Sequence, residues 1–220
     1  MSCCGNFDDA ADQQFSADKV AKELHRYRHK GVGATTRLLR DGLARSGLSH
    51  GVLLDIGAGF GALTFELLER GLSRSVVVDA SSAYLAAASA EASRRNRTLD
   101  VELVRGDFLD VAERLSTADV VTLDRAVCCY PFYERLLIAA LRHASHGFAF
   151  SYPRDVWYVR AGVRLENAMR HRRTGFRTFV HPPTRMRELI EGADFTLVSH
   201  AQTLAWSADV FIRRKGSVGT

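Results

Sequence analysis

Residues 52–61 read VLLDIGAGFG. The run from Val52 to Asp55 has the length and apolar character of a short buried strand. Glycine follows at positions 57, 59 and 61, and residues 63–68 have the apolar spacing of a helix. A chain that passes so quickly from strand to helix needs glycine for the turn, and the first N–H groups of the helix are free to bind a ligand. The stretch therefore predicts a strand, a ligand-binding turn and a helix.

The same strand-and-helix pattern recurs along the middle of the chain. Further strands are predicted at residues 76–79, 101–104, 119–124 and 148–151. The segments between these strands have helical character, with helices predicted at residues 83–93, in a short stretch ending near 115, and at 131–143. Such alternation is typical of a parallel sheet covered by helices on both faces.

Both ends of the chain depart from this pattern. Residues 8–48 carry apolar residues at helical spacing and predict two helices. After the fifth strand, residues 156–172 predict a helix, which is followed by an extended piece and a short helix that ends near 192. Residues 195–203 and 206–213 predict two strands joined by a link short enough to require an antiparallel hairpin. The prediction is an α/β fold with a seven-stranded, mostly parallel sheet that ends in this hairpin.

Composition places the chain among ordinary globular domains. Its 220 residues are 46% hydrophobic and 25% charged, which excludes low-complexity and collagen-like classes. No apolar stretch approaches the ~20 residues of a membrane span, and acidic residues precede any leader-like segment. We therefore expect one cytoplasmic domain that contacts no membrane and whose oligomeric state is open. We expect it to consist of a helical region at 1–48, a core of alternating strands and helices at 51–153, and further helices with the hairpin at 154–220.

Positive charge is concentrated in the last third. The net charge is +5, yet residues 154–187 alone contain nine arginines against two acids. Arginine suits carboxylates and phosphates, so this distribution indicates an anionic small molecule or a nucleic acid as ligand. A solvated surface is the alternative interpretation.

Acidic residues close four consecutive strands. Asp55, Asp79 and Asp124 end the first, second and fourth strands, and Asp107 follows the third. Asp79 comes 24 positions after Asp55, where a carboxylate can accept both hydroxyls of a ribose. Asp107 with its neighbour Phe108 suits an adenine amino group and ring. Helix capping is the alternative role for any one of these aspartates.

Four motifs together carry a resemblance to a known family. LLDIGAGFG, VVVDAS, RGDF and ADVVTLD resemble the motifs of class I S-adenosylmethionine-dependent methyltransferases, and the resemblance covers residues 51–153. The resemblance implies a Rossmann-like fold, S-adenosylmethionine as cofactor and S-adenosylhomocysteine as product. It makes residues 1–48 a lid region, residues 51–153 the cofactor-binding core, and residues 154–220 the substrate-side helices and the hairpin. It implies a shared cofactor-binding role for residues at the strand ends, namely Asp55, Gly57, Gly59, Gly61, Asp79, Ala80, Asp107, Phe108 and Asp124.

Within that resemblance, the three glycines lie against the methionine part of the cofactor and Asp55 lies near its amino group. Asp79 takes the ribose hydroxyls, while Asp107 and Phe108 hold the adenine. The glycine turn also satisfies the G-x-G-x-x-[G/A] fingerprint of dinucleotide binding, so NAD is an alternative ligand. NAD enzymes usually carry an apolar residue where Asp55 stands, which favours the sulfonium cofactor. Three further stretches, LDRAVCCYPF, MSCCG and YPRDVW, are similar to a bacterial group of methyltransferases without an assigned substrate, related to magnesium-protoporphyrin methyltransferase.

The acceptor is expected to meet the methyl group at residues 124–131, DRAVCCYP. Methyl transfer is a direct displacement, so alignment and desolvation can supply most of the acceleration. This segment lacks the N/D-P-P-Y/F motif of enzymes that methylate nucleic-acid amino groups. Tyr130 is the candidate catalytic residue. The candidate substrate-binding residues are Arg125, Cys129, Tyr152, Arg154, Arg160 and His181.

The cysteines form two vicinal pairs, Cys3 with Cys4 and Cys128 with Cys129. One interpretation makes a thiol of the second pair a nucleophile toward a pyrimidine ring, and another packs these thiols as small apolar groups. A third joins both pairs in a soft-metal or arsenic site. No C-x-x-C spacing supports the third, so we expect no metal.

The sequence therefore predicts an enzyme that methylates a small, anionic metabolite. An RNA methyltransferase that uses the basic last third is the first alternative. An NAD-dependent oxidoreductase and a non-catalytic protein that only binds S-adenosylmethionine are the others.

Overall fold

A computed structural model of the chain describes residues 7–48, 50–171 and 176–214. The strands within these residues are β1 (Val52–Ile56), β2 (Arg74–Asp79), β3 (Val101–Arg105), β4 (Ala118–Leu123), β5 (Ala144–Pro153), β6 (Phe195–Gln202) and β7 (Trp206–Arg213). The α-helices are α1 (Phe7–Gln14), α2 (Ala17–Lys30), α3 (Ala34–Arg45), α4 (Ala62–Leu68), α5 (Ser82–Arg94), α6 (Phe108–Val111), α7 (Tyr133–His143), α8 (Trp157–His171) and α9 (Pro183–Gly192).

The seven strands form one sheet in the order β3-β2-β1-β4-β5-β7-β6. β1 pairs in parallel with β2 and β4, while β2–β3 and β4–β5 are also parallel pairs. β7 is antiparallel to both β5 and β6, so it alone runs against the other strands. The predicted α/β sheet with its antiparallel C-terminal hairpin is confirmed.

Helices cover both faces of this sheet because neighbouring strand residues point in opposite directions. Leu53 and Val120 pack in one core cluster with residues of α3 and α4, such as Leu39 and Leu63. The adjacent Leu54 and Val121 pack in another cluster, with α7 and α9. Both faces of the central strands are therefore buried, and the ends of these strands are left to face a ligand.

The N-terminal part contains three helices where the sequence predicted two. Ser16 separates α1 from α2, since its backbone is extended, with φ −61° and ψ 154°. The predicted break near Gly31 is present between α2 and α3. None of the described helices is long and apolar enough to cross a bilayer.

Candidate active site

A cavity of about 420 Å³ lies at the carboxyl edge of the sheet, where β1, β2 and β4 end. This volume lies within the range of about 300–1,000 Å³ that is typical of ligand pockets. The ends of the three strands form one side of the cavity, and the N-terminal helices cover another. Its lining from the N-terminal part of the chain consists of Ala11, Phe15, Lys19, Glu23 and Thr36.

The glycine turn after β1 brings backbone to the cavity wall. Gly57 and Gly59 adopt φ of 64° and 60°, in the left-handed region that favours glycine. A Cβ at Gly57 would lie 2.6 Å from the Cβ of Ala126, so a larger residue also clashes there. The turn therefore depends on glycine for both its conformation and its close packing against the segment after β4.

The carboxylate of Asp79, at the end of β2, is held by two backbone groups. The Gly59 N–H donates to Oδ2 and the Ser81 N–H donates to Oδ1, both at 2.8 Å. Burial raises the pKa of Asp79 to about 6, and these two hydrogen bonds oppose the rise. Each carboxylate oxygen keeps a further lone pair, so a ligand hydroxyl can still be accepted.

Asp55 lies deeper, with 1% of its surface exposed. Its oxygens accept hydrogen bonds from the hydroxyls of Thr64 at 2.8 Å and Thr122 at 2.7 Å. Burial raises the pKa of Asp55 to about 7, and the nearby negative charges of Asp124 and Asp79 add to the rise. Three strand ends thus bring carboxylates to one cavity, which makes ionisation of the deepest one costly.

Asp124 and Arg125 form a braced turn at the end of β4. Asp124 accepts hydrogen bonds from Thr36 of α3 at 2.5 Å and from Ser151 of β5 at 2.6 Å. The same Ser151 hydroxyl oxygen accepts the Arg125 backbone N–H at 2.8 Å. Arg125 has φ 58°, a conformation that costs free energy in a non-glycine residue and is often found at functional sites. The bracing holds Arg125 at the cavity wall.

Tyr130 is linked to Asp107 across the cavity wall. Its hydroxyl donates to Asp107 Oδ1 at 2.5 Å, and the same oxygen accepts the Leu109 N–H at the start of α6. Burial raises the pKa of Tyr130 well above its ordinary value, and the negative charge of Asp107 raises it further. Tyr130 is therefore a neutral hydrogen-bond donor here rather than a proton acceptor.

The structure brings most of the predicted site residues to this one cavity. Those that line it are Asp55, Gly57, Gly59, Asp79, Ala80, Phe108, Asp124, Arg125, Cys129 and Tyr130. Gly61 precedes α4 with φ 79°, and Asp107 reaches the cavity through Tyr130. Phe108 is 1% exposed and packs edge-on against His143, so its ring belongs mainly to the core rather than offering an open face to an adenine.

Four predicted substrate-binding residues lie elsewhere. Tyr152 follows Ser151 in β5, so strand alternation turns its side chain to the opposite face, where the hydroxyl donates to Asp209 at 2.9 Å. Arg154 donates to the carbonyls of Thr203 and Leu204. The structure does not place these two side chains in the cavity lining.

The other two are Arg160 and His181. Arg160 forms an ion pair with Asp155 on the surface of α8. His181 is buried beside Tyr133, with ring centroids 4.2 Å apart, and burial lowers its pKa. Its Nε2 atom has no hydrogen-bond partner within the described residues. We assign these two side chains no contact with the cavity.

The second cysteine pair lies partly in the core. Cys128 is buried, and its Sγ lies 4.0 Å from that of Cys129, which lines the cavity. A hydrogen bond with the Cys129 thiol raises the pKa of Cys128, and burial raises it further, so the Cys128 thiol stays protonated. Cys3 and Cys4 lie outside the described residues, within which no cluster of three or more metal-ligating side chains occurs.

Residues of the N-terminal helices were missed by the sequence reasoning. The Tyr84 hydroxyl donates to Glu23 at 2.7 Å, and the Phe15 ring lies 4.9 Å from Tyr84 and 5.5 Å from Phe176. Lys19 and Glu23 are four residues apart in α2, which places them on one side of that helix, and Phe15 precedes the helix. This spacing could have indicated a shared surface, but it does not show that the helix covers the cavity.

Comparisons with known proteins agree on the fold. Residues 53–147 match the family described as "Methyltransferase domain". Magnesium protoporphyrin IX methyltransferase from Synechocystis, solved with bound S-adenosylhomocysteine, is 15% identical with a TM-score of 0.68, over 92% of this chain and 98% of that one. An O-methyltransferase family protein from Burkholderia thailandensis is 15% identical with a TM-score of 0.72, over 94% and 62% of the two chains.

A third solved structure extends the comparison. The O-methyltransferase family 2 protein from Planctomyces limnophilus, in complex with apigenin, is 19% identical with a TM-score of 0.65, over 97% of this chain and 63% of that one. A comparison with curated protein sequences gave no match. At these identities the solved structures establish a common fold.

Proposed function

We propose that this chain is a class I S-adenosylmethionine-dependent methyltransferase and that it transfers the methyl group to a small anionic molecule held at the end of β4. One observation carries the proposal. A single cavity joins Asp79, at the end of β2, to the segment from Arg125 to Tyr130 that follows β4. Cofactor and acceptor can therefore lie side by side, as direct displacement requires.

The charge of the cavity supports a sulfonium cofactor over NAD. S-adenosylmethionine carries a positive sulfur and an ammonium group, whereas the pyrophosphate of NAD is negative. Acidic side chains outnumber basic ones around the cavity, with Glu23, Asp55, Asp79, Asp124 and Glu166 against Lys19 and Arg125. The positive charges of the cofactor are attracted by Asp55 and Asp79, which repel a pyrophosphate, whereas the anionic acceptor lies after β4, where Arg125 supplies a positive charge.

The proposed roles of the binding residues follow from their positions. Asp79 accepts the ribose hydroxyls, and Asp55 attracts the ammonium group beside the glycine turn. The Tyr130–Asp107 pair borders the adenine end, where Asp107 was expected to act. When bound, the cofactor supplies a methyl carbon activated by its positively charged sulfur. The residues of the chain therefore need to bind, orient and exclude water, and a carboxylate acceptor requires no general base.

Arg125 is the proposed anchor for the acceptor. It is the one arginine among the described residues that lines the cavity, and its backbone is fixed by Ser151. A guanidinium in this position can pair with a carboxylate or phosphate through two hydrogen bonds. The described arginines of residues 154–187 lie outside the cavity lining. The proposal of an anionic acceptor therefore depends on Arg125 rather than on the basic last third of the chain.

The test compares cofactors first and acceptors second. Calorimetry is expected to show binding of S-adenosylhomocysteine and none of NAD. Methyl transfer from labelled S-adenosylmethionine is then measured on paired acceptors that differ only by a carboxylate or its amide. We expect Arg125→Gln to raise KM for the carboxylate while S-adenosylhomocysteine affinity is unchanged. Arg154→Gln, outside the cavity, is the matched control; equal use of both acceptors by the unmodified enzyme contradicts the anionic assignment.

Nucleic acid is tested in the same preparation. An RNA methyltransferase binds RNA with an affinity that falls steeply as salt rises. We expect no such binding, because the described arginines of residues 154–187 do not line the cavity.

A further inference from the structure

The outer side of α8 carries an exposed apolar stripe. Trp157, Ala161, Leu165 and Met169 follow one another at intervals of four, which places them along one side of the helix. Trp157 is 80% exposed, Leu165 65% and Met169 62%. Leu204, in the link between β6 and β7, is 84% exposed, and its carbonyl accepts the Tyr158 hydroxyl at 2.8 Å.

This clustering is unusual for the molecule. Nine large apolar side chains are exposed in the described residues, and five of them are Trp157, Tyr158, Leu165, Met169 and Leu204. Single exposed apolar residues need no explanation, but a contiguous patch marks an interaction surface. We refer to these five residues together with Ala161 as the α8 patch.

Positive charge borders the α8 patch. Arg160 and Arg164 are exposed on the same helix, three and seven positions after Trp157. Residues 155–173 contain five arginines against two acids, Asp155, which forms an ion pair with Arg160, and Glu166, which lines the cavity instead. A helix with tryptophan and leucine on one side and arginines beside them has the chemistry of helices that lie in the interface of an anionic bilayer.

The sequence predicted no contact with a membrane; we propose instead that the α8 patch docks on an anionic membrane surface. A second copy of the chain is a poorer occupant, because two-fold pairing of α8 with α8 brings arginines against arginines. RNA accounts for the arginines but not for an apolar stripe of Trp157, Leu165 and Met169. Anionic lipid satisfies both features, since headgroups pair with the arginines and the acyl boundary receives the apolar side chains.

Docking through the α8 patch would bring the membrane close to the cavity. Glu166 lies on the inner side of the helix that carries the α8 patch and lines the cavity. Trp206 also lines the cavity, two positions after Leu204. The surface that meets the bilayer is therefore built on elements that also line the cavity.

The experiment measures binding of the full chain to vesicles. Vesicles of phosphatidylcholine alone are compared with vesicles that also contain phosphatidylglycerol, by co-sedimentation over a range of salt. The key variant is Leu165→Gln and the matched control is Leu99→Gln, because Leu99 is 95% exposed in the turn before β3, outside the α8 patch. Both positions are exposed, so neither variant disturbs packing, and thermal unfolding checks this.

We expect binding to the anionic vesicles only, weakening as salt rises. Leu165→Gln should weaken it about tenfold, as loss of a partly buried leucine implies, while Leu99→Gln leaves it unchanged. Equal binding to both vesicle types, no binding, or equal behaviour of the two variants overturns the proposal. So does a dimer that Leu165→Gln dissociates in the absence of vesicles, or RNA binding that competes with the vesicles and survives that substitution. Because no turnover is measured, failure here leaves the proposed methyl transfer intact.

Discussion

The backbone N–H of Gly59 donates to the carboxylate of Asp79, with 2.8 Å between nitrogen and oxygen. The end of β2 thereby holds the glycine turn that follows β1, 20 positions earlier in the chain. The carboxylate that we propose for the ribose also fixes the backbone against which the cofactor lies. Cofactor binding and turn geometry are therefore coupled at Asp79.

Replacing Asp79 with Ala is expected to weaken S-adenosylhomocysteine binding by about 1–3 kcal/mol, because the ribose hydroxyls and the Gly59 N–H lose their acceptor. Calorimetry at pH 8 measures the loss. Asp110→Ala, a change in the exposed first turn of α6, is the control and should bind as the unmodified chain does. Unchanged affinity in Asp79→Ala overturns the ribose assignment.

Asp55 makes the ligand-free protein less stable as pH rises. The pKa of Asp55 is raised from 3.8 to about 7, so between these values the folded state holds a proton that the unfolded state has lost. The free energy of unfolding therefore falls through this window, by up to about 4 kcal/mol from this group, and levels off above pH 7. Urea unfolding from pH 4 to pH 8 follows the change.

Asp55→Asn isolates the contribution of this carboxyl. The amide cannot ionise, and the hydroxyls of Thr64 and Thr122 can reorient to pair with it. The difference in unfolding free energy between the variant and the unmodified chain should grow in favour of the variant as pH rises from 4 to 7. A difference that does not vary with pH shows that Asp55 titrates as an ordinary carboxyl.

Tyr130→Phe removes the hydroxyl that donates to Asp107. We expect turnover to fall without any shift in the pH dependence of kcat, because the raised pKa of Tyr130 keeps the hydroxyl protonated. Stability should fall by about 1 kcal/mol, the usual net value of a hydrogen bond. Tyr133→Phe, at the neighbouring ring beside His181, is the control. A moved pH profile in Tyr130→Phe assigns the hydroxyl a direct role in proton transfer.

Gly57→Ala tests the close approach of the turn to the segment after β4. The new Cβ would lie 2.6 Å from that of Ala126, and φ is 64°, so we expect destabilisation of at least about 1–3 kcal/mol and loss of cofactor binding. Gly162→Ala is the matched control, since that helical glycine has open space around it and should gain up to about 1 kcal/mol. Thermal unfolding compares them, and equal stability of the two variants removes the steric argument for Gly57.

Local patterns were enough to predict the sheet and most of one cavity wall. The central parallel strands are buried on both faces, so each appears in the sequence as an apolar run, and their carboxyl ends lie at a common edge. Asp55, Asp79 and Asp124 could therefore be assigned to one place without any coordinates. The turn at Gly57 was predictable for the same reason, because its conformation is set by residues adjacent in sequence.

Residues distant in sequence required the tertiary structure. The sequence could not show that Thr36 donates to Asp124, 88 positions away, or that Tyr130 pairs with Asp107. Arg154 was expected at the acceptor, but it binds the carbonyls of the β6–β7 link instead.

The sequence by itself determined that aspartates lie together at the carboxyl ends of the parallel strands. Each strand is recognised from a short local pattern, and parallel strands all end at the same edge of the sheet. Only the tertiary structure decided which helices cover the cavity, which arginine reaches it and which apolar residues of α8 stay exposed. A helix has the same periodicity wherever it packs, so the partner of each face is settled by long-range packing alone.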